Sequence, residues 1–155
     1  MFELPADSPA LLAGLAVAAA AFLTVTTSMP ARPAPDATGV AGTIDEVAAG
    51  EPPTSATHPH SARAVRLAPN GVKMRNEAGT TAATFAFGPV TPVSEAGPLR
   101  AVLDGAQPAA VFESQTAFRQ AIVEARAAEP RWRQSTEIQV RGVSWDGYRV
   151  TLVGA

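Results

Sequence analysis

Cysteine is absent from this 155-residue chain. Disulfides, thiolate metal sites and cysteine nucleophiles are thereby excluded. The absence leaves the redox compartment open, because a cysteine-free chain is at home in any. Lysine occurs once, as Lys73, against eleven arginines, the bias of a GC-rich genome. Charged residues make up 17%, scarce for a soluble globule, where about a quarter is usual. The formal net charge of −2 gives no electrostatic case for nucleic acid or for an acidic membrane surface.

Catalytic motifs are missing as well. There is no Gly-rich phosphate loop, no Gly-x-Ser-x-Gly elbow and no His-Glu-x-x-His pair. The two histidines, His58 and His60, stand two residues apart in a proline-rich stretch. No third or fourth ligand follows at a metal-site spacing, and a Ser-His-Asp arrangement would have to borrow one of them. Glu113, Glu124 and Glu129 read as a solvated helix face rather than an acid–base pair. No catalytic residue, metal or cofactor is assigned, and the chain is not expected to be an enzyme. One basic, aromatic cluster remains, Arg126, Arg131, Trp132 and Arg133. Trp132 is expected to cover a core edge while the arginines reach water; contact with an acidic partner is the functional alternative.

What is present begins with a hydrophobic run. Ala10 to Met29 is twenty residues without a charge, between Pro9 and Pro30. A helix of that length rises roughly 30 Å, the thickness of a hydrocarbon core. Leu11, Leu12, Leu15, Val17, Phe22, Leu23 and Val25 together favour insertion by roughly 2 to 4 kcal/mol. No Lys or Arg precedes the run, so a cleaved signal peptide or prepilin leader lacks its basic region. The reading is a short tail (1–9), then a transmembrane helix (10–29) that anchors the chain in the cell membrane. Arg32, just after it, is a single vote for a cytoplasmic domain. A short N-terminus ahead of a first hydrophobic segment is nonetheless the shape of a signal anchor, so the C-terminal domain is expected to be extracytoplasmic.

Residues 30–60 read as a proline-rich linker, with Pro30, Pro33, Pro35, Pro52, Pro53 and Pro59. Inside it, 37–49 has helical spacing. Ala37, Val40, Ala41, Ile44, Val47 and Ala48 form the stripe, Asp36 suits the N-cap and Gly50 the C-terminal stop. This amphipathic helix needs a surface, either its own domain or a partner subunit.

Residues 61–155 read as a small α+β domain. Alternation over 62–67 and 72–75 around Pro69-Asn70-Gly71 predicts a hairpin. A third strand is expected over 80–87, with Ala83, Phe85 and Phe87 on one face. A helical turn follows at 98–103. A longer helix, about 114–129, buries Phe118, Ala121, Ile122 and Ala125. Asp146-Gly147 closes a last hairpin that sets Trp145 opposite Tyr148, Val143 opposite Val150 and Arg141 opposite Leu152. The expected fold is one antiparallel sheet, βββ-α-ββ, packed on one long helix.

Several phrases carry a resemblance. They are 37–49 (ATGVAGTIDEVAA), Phe85-Ala86-Phe87-Gly88-Pro89-Val90-Thr91-Pro92-Val93, 99–105 with Pro108 and Phe112, and 140–145 with 150–153. In these the chain resembles an uncharacterised family of small haloarchaeal single-pass membrane proteins, associated with type IV pilus-like or secretion gene clusters. The resemblance implies an accessory or structural role beside other membrane or pilus-like assembly proteins, with the bilayer as partner through 10–29. An extracytoplasmic ligand-binding or sensory module is the alternative; it would need a concave apolar pocket.

Overall fold

Strand and helix assignments follow a computed structural model of the chain, which describes residues 32–155. The expected tail (1–9) and transmembrane helix (10–29) lie outside the described residues. Among the described residues, no helix is long and apolar enough to cross a membrane.

The first helix, α1 (Ala37–Ala49), starts where the sequence places it. The Asp36 carboxylate accepts the Gly39 N–H at 2.9 Å and caps the first turn. The Gly50 N–H closes the helix onto the Glu46 and Val47 carbonyls. Ala37, Val40, Ala41, Ile44 and Val47 are buried. The surface they meet belongs to the helix's own domain, because Pro33 to Ala155 forms one compact unit.

That unit contains two sheets rather than one. The first has the order β1-β7-β8-β5, from β1 (Thr54–Pro59), β7 (Glu137–Trp145), β8 (Tyr148–Gly154) and β5 (Thr91–Pro92). Its pairs are antiparallel except β5 with β8. The second has the order β4-β3-β2-β6, from β4 (Gly79–Thr84), β3 (Gly71–Asn76), β2 (Ala64–Ala68) and β6 (Trp132–Arg133), and is antiparallel throughout. The class is α+β, with two largely antiparallel sheets.

β1 corrects the expectation of a linker over 30–60. Thr-Ser-Ala-Thr-His-Pro looks like loop by composition, yet it pairs along its whole length with β7, Thr54 opposite Gly142 and Pro59 opposite Glu137. Proline is tolerated there because β1 is an edge strand and Pro59 is its last residue.

Two cores follow from the alternation of β7 and β8. One face, with Ile138, Val140 and Val153, packs with Val40, Ile44 and Val47 of α1 and with Val65, Leu67, Val72 and Met74 of the second sheet. Helix α1 therefore lies between the sheets. The other face carries Val143, Val150 and Leu152. It is covered by α2 (Pro98–Leu103) and by α4 (Gln115–Ala127), with the single turn α3 (Pro108–Val111) between them in sequence. Phe118 of α4 is fully buried there, its ring 5.3 Å from Phe112, 5.9 Å from Trp145 and 6.3 Å from Tyr148.

The turns are set by local chemistry. Asp146 and Gly147 both have positive φ, 46° and 77°, which the tightest hairpin turn requires. The observed pairs are Trp145 with Tyr148, Val143 with Val150 and Arg141 with Leu152, as the turn predicts. Gly71 answers a different need. A Cβ there would come within 2.7 Å of the Ala83 carbonyl oxygen on the neighbouring strand. Strand β4 stops at Thr84, short of the expected Phe87. The Ala86 and Phe87 N–H groups are each accepted at 3.0 Å by the Asp45 carboxylate of α1. Phe85 packs on the first core and Phe87 is left exposed.

Candidate functional site

The four residues of the basic, aromatic cluster do not come together as one site. Arg126, in the last turn of α4, turns inward. Its Nε donates to Thr91 Oγ1 at 3.0 Å and its Nη2 to the Pro89 carbonyl at 2.9 Å. Thr91 is fully buried, so Arg126 braces the connection between β4 and β5 against the helix. Arg133 also serves the fold, donating from Nη1 to the Val93 carbonyl at 3.3 Å. Arg131 is exposed ahead of β6. Trp132 alone keeps an outward position within a strand, and the Arg75 guanidinium lies over its ring, 4.3 Å from the centroid.

The register of the second sheet gives Trp132 different neighbours. It pairs with Arg66, Arg66 pairs with Lys73, and Lys73 pairs with Ala82. Cross-strand partners share a face, so a row Trp132–Arg66–Lys73–Ala82 runs across all four strands. Arg75 stands two residues from Lys73 on that same face. Lys73, Arg75, Thr80, Ala82 and Thr84 are exposed and Arg66 is half-buried. The opposite side of the sheet carries Val65, Leu67, Val72 and Met74 into the core. Two shallow depressions, about 490 and 540 Å³, open on the outer face and the Trp132 end of this sheet. The signal for this face was present in the alternation of β2 and β3. The spacing of Arg66, Lys73 and Arg75 could have revealed it, whereas nearness along the chain pointed to 126–133.

The histidines are structural neighbours of the first sheet. His58, in β1, shares a hydrogen bond of 2.8 Å between its Nδ1 and the Thr43 hydroxyl of α1. Both ring nitrogens of His60 are shut off from solvent and have no hydrogen-bond partner. Among the described residues, no three His, Asp or Glu side chains gather where they could hold a metal ion. Burial pushes the His60 pKa below its ordinary 6.5 and the His58 charge adds to this, while the Ala62 backbone, its own backbone and Glu137 pull the other way. The consequence for stability has a definite sign. A histidine with a lowered folded-state pKa resists the proton that the unfolded chain accepts. Its contribution is neutral above 6.5 and opposes folding increasingly as pH falls from 6.5 toward the lowered value. His60→Gln is therefore expected to flatten part of the acid-side loss of stability. Urea midpoints of both proteins, one pH above 6.5 and one well below it, check this; parallel losses would refute it.

Enclosed space is small. A crevice of about 50 Å³ lies among Leu67, Val93, Ala125 and Arg133, room for a water or two, whereas small-molecule sites run from about 300 Å³ upward. No curated protein matches the chain, and no solved structure does. One family model does match, over residues 3–143, and since that is well over half of the chain, the protein belongs to this family of unknown function, DUF7283.

Proposed function

We propose that the protein is a single-pass, membrane-anchored component of a cell-surface pilus-like or secretion assembly in a haloarchaeon. Its role there is structural and non-catalytic, with the α+β domain on the extracytoplasmic side. The observation that carries this reading is the uncharged run Ala10–Met29 placed directly before the domain that starts at Pro33. The domain's polar chemistry supports it. Asp45, Arg126 and Arg133 hold the protein's own backbone, and Arg141 donates to the Val102 and Ala106 carbonyls. The wide surface features lie on an open sheet face, the shape of an interaction surface rather than of an enclosed reaction site. A ligand-binding or sensory module fits less well, because the more enclosed crevice holds only about 50 Å³ and the wider depressions, about 490 and 540 Å³, lie open to solvent.

Two measurements test the reading. Protease added to intact cells is expected to remove the domain, leaving a membrane-embedded stub. Gentle detergent extraction is expected to release the protein in a complex of defined composition and larger than itself. Protection of the domain from protease would refute the topology, and recovery of the chain alone would refute the assembly role.

A further inference from the structure

An open sheet edge is a template for another strand unless something blunts it. Among the described residues, three of the four sheet edges are blunted. Strands β5 and β6 are two residues long, and β5 includes Pro92. Strand β1 is longer, but prolines guard it. The His60 N–H donates to the Thr136 carbonyl, so the even residues of β1 bond β7 and the odd ones face outward. Pro53 and Pro59 are odd, and each lacks the donor that an incoming strand would need. Strand β4 has no such device. It spans six residues, Gly-Thr-Thr-Ala-Ala-Thr, with no proline and no charge, and it stands at the end of its sheet.

The β4 edge is complementary to itself. The Phe85 N–H donates to the Asn70 carbonyl, one step beyond the Thr84–Gly71 pair. Odd residues of β4 therefore bond β3, and Thr80, Ala82 and Thr84 turn both N–H and C=O outward. These three are evenly spaced about Ala82. A second copy brought in antiparallel, on a two-fold axis beside Ala82, sets Ala82 against Ala82 and Thr80 against Thr84. Each pair exchanges two hydrogen bonds, about six in all. The side chains that meet are small and uncharged. Lys73 is one strand further in, so its two copies stand about 14 Å apart, three strand spacings. The axis is normal to the sheet and preserves its faces. Asn76 and Thr81 share the core face with Met74, and there they hold the Pro33 and Pro35 carbonyls at 2.8 and 2.7 Å. Both chains thus arrive on one side of the joined sheet, as two chains anchored in one membrane must. Helix α1 follows β4, from Pro35 at Thr81 to Asp45 at Ala86 and Phe87. Gly42, one turn before Asp45 on that flank, is exposed, and a Cβ there would meet nothing within 4 Å. Glycine inside a helix is destabilising relative to alanine, and the domain itself has no need of it. A second copy passing close by supplies the need.

We infer that β4 pairs with β4 of a second copy, joining the two second sheets into one of eight strands. The inference goes beyond the assembly reading and stands on the edge geometry, whether or not the chain is anchored. Each hydrogen bond formed in place of bonds to water multiplies association about fivefold, so six give on the order of ten-thousandfold. For free chains much of that is consumed by lost translational freedom. Chains confined to one membrane meet at a high effective concentration, where it suffices. Salt does not weaken bonds between neutral amides. At about 1 M it screens charge within about 3 Å, which removes what repulsion the two Lys73 side chains retain. The pairing therefore suits the high salt of the proposed setting.

The absence of cysteine makes the test direct. The purified full chain in mild detergent receives one cysteine at a time, is oxidised with copper phenanthroline and is run on a gel without reductant. Paired Cα atoms in such a ladder stand about 5.5 Å apart, inside the range of about 4.4–6.8 Å that a disulfide spans. Ala82→Cys is expected to give a covalent dimer. Thr80→Cys alone is not, because its two copies lie four residues apart along the strands, roughly 14 Å. Mixed with Thr84→Cys, it is expected to give one. Thr57→Cys, on the outward edge of β1, is the control and is expected to stay monomeric. The Ala82→Cys yield is expected to be no lower at about 1 M salt than at about 0.1 M. Thr80→Pro takes an outward donor from each copy and leaves the β3 ladder intact. Two of six bonds are lost, and the dimer dissociation constant, read by sedimentation, is expected to rise about 25-fold. Thr84→Pro serves in its place if Thr80→Pro loses its cooperative urea transition. The inference is overturned if Ala82→Cys gives no dimer, or no more than Thr80→Cys alone. A dimer lost at high salt overturns it too, as does a folded proline variant that associates as tightly as the parent. So does a cross-link, formed in native membranes, that joins Ala82→Cys to a different protein; that result leaves the assembly reading in place. Protease protection of the domain sinks the proposed topology and leaves the β4 pairing standing.

Discussion

Replacing Phe118 by alanine is expected to lower the unfolding free energy by about 3–5 kcal/mol, the range for deleting a buried aromatic ring. Phe118 is fully buried at the meeting point of Phe112, Trp145 and Tyr148. It is also the largest buried side chain that α4 places on the outer face of the first sheet. Removing it leaves a void bounded by three rings, and the β7–β8 hairpin cannot shift to fill that void without breaking its pairing. For a domain whose total stability is of the order of 5–15 kcal/mol, such a loss is a large share. Urea unfolding followed by tryptophan emission measures it, since Trp145 reports directly on this cluster. Val123→Ala on the same helix is the control. Val123 is 59% exposed, and its truncation is expected to change stability by less than about 0.5 kcal/mol. Equal effects of the two substitutions would refute the assignment of the buried face.

Ile44→Asp is expected to abolish cooperative unfolding altogether. Ile44 is fully buried between the two sheets. A carboxylate there would have to lose its water without a partner or take up a proton, at a cost above about 4 kcal/mol. Loss of the three large side chains of α1, at about 2 kcal/mol each, would already consume much of the domain's stability. Thr38→Asp on the same helix is the contrast. Thr38 is exposed in the first turn, where a negative charge meets the positive end of the helix dipole. That variant is expected to unfold cooperatively and at no lower urea than the parent. Were Ile44→Asp to retain a sharp transition, α1 would be an appendage. Its apolar stripe would then be free for a partner, as the sequence alone allowed.

Legibility followed how local the determining chemistry is. The Asp146-Gly147 turn fixes both φ angles and hence the register of β7 against β8, so that hairpin could be read outright. The spacing of Phe118, Ala121, Ile122 and Ala125 defined α4 in the same way. Strand β1 escaped because its determinants lie far away. Thr54 to Pro59 have little strand character of their own and are held by β7. Missing β1 hid the second face of the first sheet, so the Ile138, Val140 and Val153 side went unassigned and one sheet was expected instead of two. The two-residue parallel pair of β5 with β8 leaves no pattern at all in sequence. The end of β4 was misjudged because Asp45, 41 and 42 residues before Ala86 and Phe87 along the chain, takes the N–H groups that a longer strand would have used. The surface site failed for another reason. In a strand, adjacent residues point to opposite sides, so Trp132 and Arg133 part company, while Arg66, Lys73 and Arg75 meet across strands.

The order β1-β7-β8-β5 places at the centre of the first sheet two strands that come after both of its edge strands in the chain. Strands β1 and β5 have no neighbour in that sheet until β7 and β8 appear, and α1 lacks half of its covering until then. A chain delivered N-terminus first is thus unable to close its core until Gly154 has emerged. Pairings so distant along the chain also make for slow folding.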